Sequence, residues 1–187
     1  DRKPEAGDIN LTETEIRDIL TLNEKYDKFV LVLNVGGMID LEQVKEVINN
    51  LLLGQLGTPT GYLLADLLLG KASPSGKMTM TWTGIEKYPS TEGFADPDDT
   101  RYKEGVYVGY RYFETVGKKT EYTFGYGMGH TKFDLNAKEI FTDGEHISVK
   151  SAVKKTGVHQ GKEVVQHYVD APAGKQDKPA KELKAFV

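Results

Sequence analysis

With 187 residues, 39% of them apolar and 28% charged, the chain has the make-up of a soluble globular protein, with room for one ordinary domain or somewhat more. Its charge sums to −4 and its basic residues are scattered, with no basic run longer than pairs such as Lys118-Lys119 and Lys154-Lys155, which argues against nucleic acid as a partner. The lack of cysteine excludes disulfides and thiolate metal sites, His130, His146, His159 and His167 show neither HxxxH nor HxH spacing, and no run approaches the ~18 apolar residues of a membrane span.

The first element is a helix. Thr12 and Glu15 have the spacing of a capping box, and Ile16, Ile19 and Leu20, extended to Leu22, form the apolar stripe behind it. "FVLVLNVGG", Phe29 to Gly37, is apolar on both faces and rich in branched residues, which predicts a strand covered on both sides in a parallel sheet. "LEQVKEVI" predicts a short helix, and "NNLLLG" a second buried strand. A glycine-rich loop, "GQLGTPTG", leads into the helix "YLLADLLLGK", for which Gly70 is a natural stop. In "KMTMTW", Met78, Met80 and Trp82 alternate with polar residues as in a half-exposed strand. Strand, helix, strand, helix, strand is an α/β order, so residues 1–133 are expected to form an α/β fold with a mostly parallel sheet and flanking helices.

From Asp134 the texture changes. "HISVKSAVKKTG" and "KEVVQHYVDAP" are β-rich runs joined by "GVHQG", and "ELKAF" follows a Lys/Pro-rich stretch. Residues 134–187 therefore read as the opening of a β-sandwich. A whole sandwich takes roughly 100 residues and about seven strands, so this one is expected to be incomplete.

Local chemistry supplies no complete catalytic set. "GQLGTPTG" sits where backbone N–H groups can hold an anion, but it matches neither phosphate-loop pattern and reads first as a tight βα turn with a helix-packing glycine. Glu92, Asp96, Asp98 and Asp99 form an acidic loop without the fixed ligand spacing of an EF-hand, which predicts a solvated connector. There is no GxSxG motif and no metal or cofactor signature. The stretch 104–133 holds Tyr107, Tyr110, Tyr112, Tyr122 and Tyr126 among six glycines. Such rigid rings beside permissive backbone suit either a junction between two units or a sugar-stacking platform. The change of composition at its end favours the junction. The platform would make the chain a non-catalytic carbohydrate- or protein-binding module.

The order "DRKPEAGD", "VLVLNVGGMIDL", "LLGQLGTPTGYLLADLLLGKASPSGKMTMTW", "EGVYVGYRYF", "FGYGMGHTKF", "GKEVVQHYV" and "KPAKELKAF" resembles bacterial family 3 glycoside hydrolases, the β-glucosidase group, over essentially the whole chain. The resemblance implies a TIM-like barrel, an α/β sandwich domain and a fibronectin type III-like domain, and a β-glucoside or oligosaccharide as substrate of the intact enzyme. A barrel aspartate would attack the anomeric carbon, and a glutamate of the sandwich domain would serve as acid and base. That glutamate belongs to a word ending in "DR", so it is expected just upstream of Asp1, with Asp1 and Arg2 at the pocket rim. No catalytic residue is then expected within the chain. The chain reads as a piece of something longer, inactive by itself and without a cofactor.

Overall fold

Thr12 caps the first helix, α1 (Glu13–Lys25), in both directions: its hydroxyl accepts from Glu15 N at 3.3 Å, and Glu15 Oε2 accepts from Thr12 N at 2.8 Å. The computed structural model describes residues 3, 5–89, 91, 96, 98–99, 101–172 and 174–187. Ile16, Ile19 and Leu20 turn toward the core, whereas Leu22 stands 41% exposed, so the stripe is one residue narrower than its sequence suggests.

Strands β1 (Leu31–Leu33) and β2 (Asn50–Leu52) pair in parallel, Val32 opposite Leu51. Both are shorter than their apolar runs. Between them, "LEQVKEVI" forms a single 3-10 turn, Glu42–Val44, in place of the expected helix. Asp40 Oδ1 takes the Glu42 N–H at 2.9 Å, and Asn50 Nδ2 caps Val47 O at 2.8 Å, so side chains occupy groups that a longer helix would use. The tight turn drives Val44 and Val47 inward together, each 2% exposed. With Leu33, Leu41 and Trp82 they are the core, and Ile16, Ile19, Leu20, Met78 and Tyr122 pack around it.

Helix α2 (Thr60–Leu68) ends as expected. Gly70 takes φ +70°, its N–H reaches Leu67 O, and Lys71 N reaches Asp66 O, a Schellman closure that a Cβ would strain. No residue of α2 is buried.

The half-exposed strand expected at Lys77–Trp82 does not form. Trp82 and Tyr122 exchange both backbone hydrogen bonds, but farther along Gly125 and Tyr126 together face the single residue Met78. Two residues opposite one is a β-bulge, and Gly125, at φ +80°, adopts the left-handed conformation that a bulge favours. The ladder is broken between these contacts, so the alternation fails: Met80 is 45% exposed, while Thr81, Trp82 and Thr83 are all buried.

Helix α3 (Tyr110–Val116) lies between Gly109 and Gly117. Strands β3 (Phe133–Thr142) and β4 (Ile147–Lys155) then form an antiparallel hairpin, and β5 (Gln166–Val169) pairs antiparallel with β6 (Glu182–Phe186). Among the described residues the strands make three separate two-stranded sheets.

Candidate functional site

The cleft of interest opens beside the broken ladder. Among the described residues no backbone hydrogen bond joins residues 79–81 to their partner stretch, and a space of about 650 Å³ is lined by them and by residues of the stretch 104–111. Ile9, Met38, Met80, Tyr88, Val108 and Tyr110 are among its walls. This size lies within the range of small-molecule sites. Its charged groups among the described residues are Glu104 and Arg111. A second space of about 390 Å³ lies on the other side of Thr81 and Tyr110, bordered by Phe113, Glu114, Lys118 and Lys119.

Tyr88 anchors the cleft. Its hydroxyl donates to Thr81 O, and its ring meets Phe113 edge-on at 5.0 Å. Burial, reinforced by the carboxylates of Glu104 and Glu121, pushes its phenol up to about 12 from the ordinary 10.0. Since the folded chain holds this proton more tightly than the unfolded chain, the contribution is complete below pH 10 and is lost as pH climbs through 12. Tyr88→Phe is therefore expected to flatten the fall of melting temperature between pH 10 and 12; an unchanged slope would show that another group titrates there.

Two ion pairs brace the surroundings. Burial works to raise the Glu121 carboxyl, but the hydrogen bond from Lys87, at 2.6 Å, together with one from Thr83 and the Lys87 charge, outweighs it and holds the group below the usual range. Glu163 behaves alike: burial opposes, while Lys77 at 2.7 Å and the Val164 N–H at 2.8 Å keep it ionised. Lys77 Nζ also donates to Gly127 O at 2.9 Å.

The tyrosines divide into two groups. Tyr110 touches Phe124 and Tyr168 with ring centroids 4.8 and 5.7 Å away, and its hydroxyl accepts from Leu183 N at 2.7 Å. Tyr107 bonds to Asp177, which raises its phenol. Around them Arg111 pairs with Glu182 at 3.2 Å, Glu114 with Lys181 at 2.9 Å, and Thr115 Oγ1 accepts from Ala180 N at 2.9 Å. Thus α3 is tied by its side chains to residues 180–183, and Tyr107 just before it to Asp177. Tyr122 and Tyr126 face the other way, their rings 5.2 Å apart, and the Tyr122 hydroxyl accepts from Asn50 Nδ2 at 3.1 Å. Tyr112 sits under Lys118 and against Phe113.

The other nominated places contribute less. Asp1, Arg2 and Glu92 lie outside the described residues. Asp96 Oδ1 accepts from Asp98 N at 3.0 Å and Asp99 pairs with Arg101 at 2.9 Å. Among the described residues no group of three or more His, Asp or Glu is placed to hold a metal. In the "GQLGTPTG" loop Gly54 and Gly57 take positive φ and Thr60 N returns to Gly57 O, a tight βα turn. Gly61 meets nothing within 4 Å, so it is not the helix-packing glycine its position suggests. The reading from sequence passed over Tyr88, Thr81 and the two ion pairs. Their partners lie 7 to 86 positions apart, and no local pattern marks them.

Chemically, the cleft offers an apolar surface and one carboxylate, Glu104, among its described residues. A retaining glycosidase needs two, about 5–5.5 Å apart. The family model described as "Glycosyl hydrolase family 3 C-terminal domain" matches residues 2–130. Beta-glucosidase A of Butyrivibrio fibrisolvens is 38% identical over 203 aligned positions, covering 96% of this chain and 24% of that protein. A beta-glucosidase of Ruminococcus albus is 36% identical and covers 100% of this chain and 20% of its own length. Among solved structures, beta-glucosidase 3B from Thermotoga neapolitana in complex with glucose superposes with a TM-score of 0.92 at 39% identity, over 100% of this chain and 28% of that one. The chain thus spans about a quarter of the length of these relatives.

Proposed function

This chain belongs to glycosyl hydrolase family 3, and on that footing we propose that it is a framework portion of a retaining β-glucosidase acting on terminal non-reducing β-D-glucosyl residues. What carries the reading is the match to β-glucosidases along the whole chain, beside a cleft whose described residues supply a single carboxylate. The proton-donating glutamate then lies just upstream of Asp1, the attacking aspartate belongs to a barrel domain, and Asp1 and Arg2 stand at the rim of the pocket. Residues 1–133 are the latter part of the α/β sandwich domain, and residues 134–187 open a fibronectin type III-like domain. Tyr107, Tyr110, Tyr112, Tyr122 and Tyr126 form the junction between them. The ties from α3 to residues 181–183 support that role, because they join stretches on opposite sides of the proposed boundary.

The test is a hybrid in which this chain replaces its matching segment of the Thermotoga neapolitana enzyme. Hydrolysis of an aryl β-glucoside should persist, and proton NMR should show β-glucose forming first. A well-folded hybrid that hydrolyses nothing, or that releases α-glucose first, would overturn the reading.

A further inference from the structure

The function proposed above gives no role to the cleft beside residues 79–81, yet its walls suit one kind of molecule. Three rings, Tyr88, Tyr110 and Phe124, and two thioethers, Met38 and Met80, line the same space of about 650 Å³. The rings are already held in place. Tyr88 meets Phe113 edge-on at 5.0 Å, and Tyr110 lies 4.8 Å from Phe124. A guest therefore has little ordering of the walls to offset. Rings and thioethers alike favour an aromatic guest.

The polar groups narrow the choice. Thr81 is 2% exposed, and its hydroxyl oxygen is buried with no hydrogen-bond partner among the described residues. Such a group is costly unless something meets it. The Tyr88 hydroxyl does not, because it donates to the Thr81 carbonyl oxygen. The charges disfavour an ionic guest. Arg111 is engaged by Glu182 at 3.2 Å, and the Glu104 carboxylate in the wall repels an anion. A cation would exchange most of its hydration for an apolar surface. We propose that the cleft is a binding site for a small neutral phenol, its ring packed among Tyr88, Tyr110 and Phe124 and its hydroxyl paired with Thr81 Oγ1. The proposal rests on these residues alone and not on the family reading.

The test is titration of the 187-residue chain, carrying 13C-labelled methionine methyls, with 4-methylphenol, toluene and 4-methylbenzoate. Of the four methionines, Met38 and Met80 line the cleft, whereas Met128 stands 71% exposed elsewhere. 4-Methylphenol should shift the Met38 and Met80 signals saturably, with a dissociation constant of about 1 mM, and leave Met128 in place. Toluene, which lacks the hydroxyl, should bind about fivefold more weakly, and 4-methylbenzoate should shift neither signal. Thr81→Val exchanges an unpartnered hydroxyl for a methyl, so it should preserve or raise the melting temperature and make phenol and toluene bind equally. Val108→Trp, at a 55% exposed position in the wall, should abolish binding of both. Four results would each overturn the proposal: no saturable shift at Met38 and Met80, equal affinity for phenol and toluene in the unaltered chain, tighter binding of the benzoate, which would make Arg111 the anchor, and shifts spread over all four methionines. Should Thr81→Val fail to fold, the three ligands on the unaltered chain and Val108→Trp still decide.

Discussion

Gly127→Ala is expected to destabilise the chain by about 3 kcal/mol, at the upper end of what forcing a methyl into a packed site costs. A Cβ built on Gly127 falls 2.3 Å from Gly76 O and 3.0 Å from the Lys77 side chain. The first neighbour is backbone and has no rotamer to change. Separating the two segments would also strain the Met78 N to Tyr126 O bond, at 2.7 Å, and the Lys77 contact with Gly127 O. In a chain of this size the loss corresponds to a melting temperature roughly 10 °C lower, read from the emission of the sole tryptophan. Gly61→Ala is the control. It meets nothing within 4 Å and lies in α2, so it should be neutral or stabilising by up to about 1 kcal/mol. Equal effects at the two positions would refute the close approach of residues 76 and 127.

Trp82→Ala should cost about 4 kcal/mol, whereas Met80→Ala should stay within about 0.5 kcal/mol. The two residues share a parity in "KMTMTW", and simple alternation would bury both. The bulge at Gly125 and Tyr126 separates them: Trp82 is 4% exposed in the core beside Val44 and Val47, and Met80 stands in the cleft wall. Circular dichroism melts of the two variants decide the matter. Comparable losses would mean that the ladder continues through residues 79–81 and that the cleft is narrower than described.

Where a feature is local, the sequence is a sufficient guide. The capping box at Thr12 and the Gly70 closure each depend on residues within a turn, and each forms; the two branched apolar runs pair in parallel as expected, but β2 is not the buried strand its composition suggests, since Leu52 stands exposed. The failures are cases of tertiary override. Val44 and Val47 have helical spacing, but polar side chains from Asp40 and Asn50 take up the backbone and leave one turn. Strand β3 carries no clean alternation in "FDLNAKEIFT", and it is held by its partner β4 with a register slip between Ala137 and Glu139. The cleft was illegible for a related reason. Tyr88, Thr81, Glu104 and Tyr110 come together from positions up to 29 apart, beside a ladder interrupted at a glycine-permitted bulge. The clustered glycines of "FGYGMG" were visible, but not what each one meets: Gly127 meets Gly76 O, and Gly129 meets Pro74 O at 2.6 Å.

In the function proposed above, the bond-breaking carboxylates belong to parts of the enzyme other than these residues. That placement is tested most directly by incubating the 187-residue chain, at concentrations equal to substrate, with a nitrophenyl β-glucoside. Nitrophenol release should be no faster than in a heat-denatured control, since the described residues of the cleft present one carboxylate where the reaction needs two. Release above that control, abolished by Glu104→Gln, would contradict it.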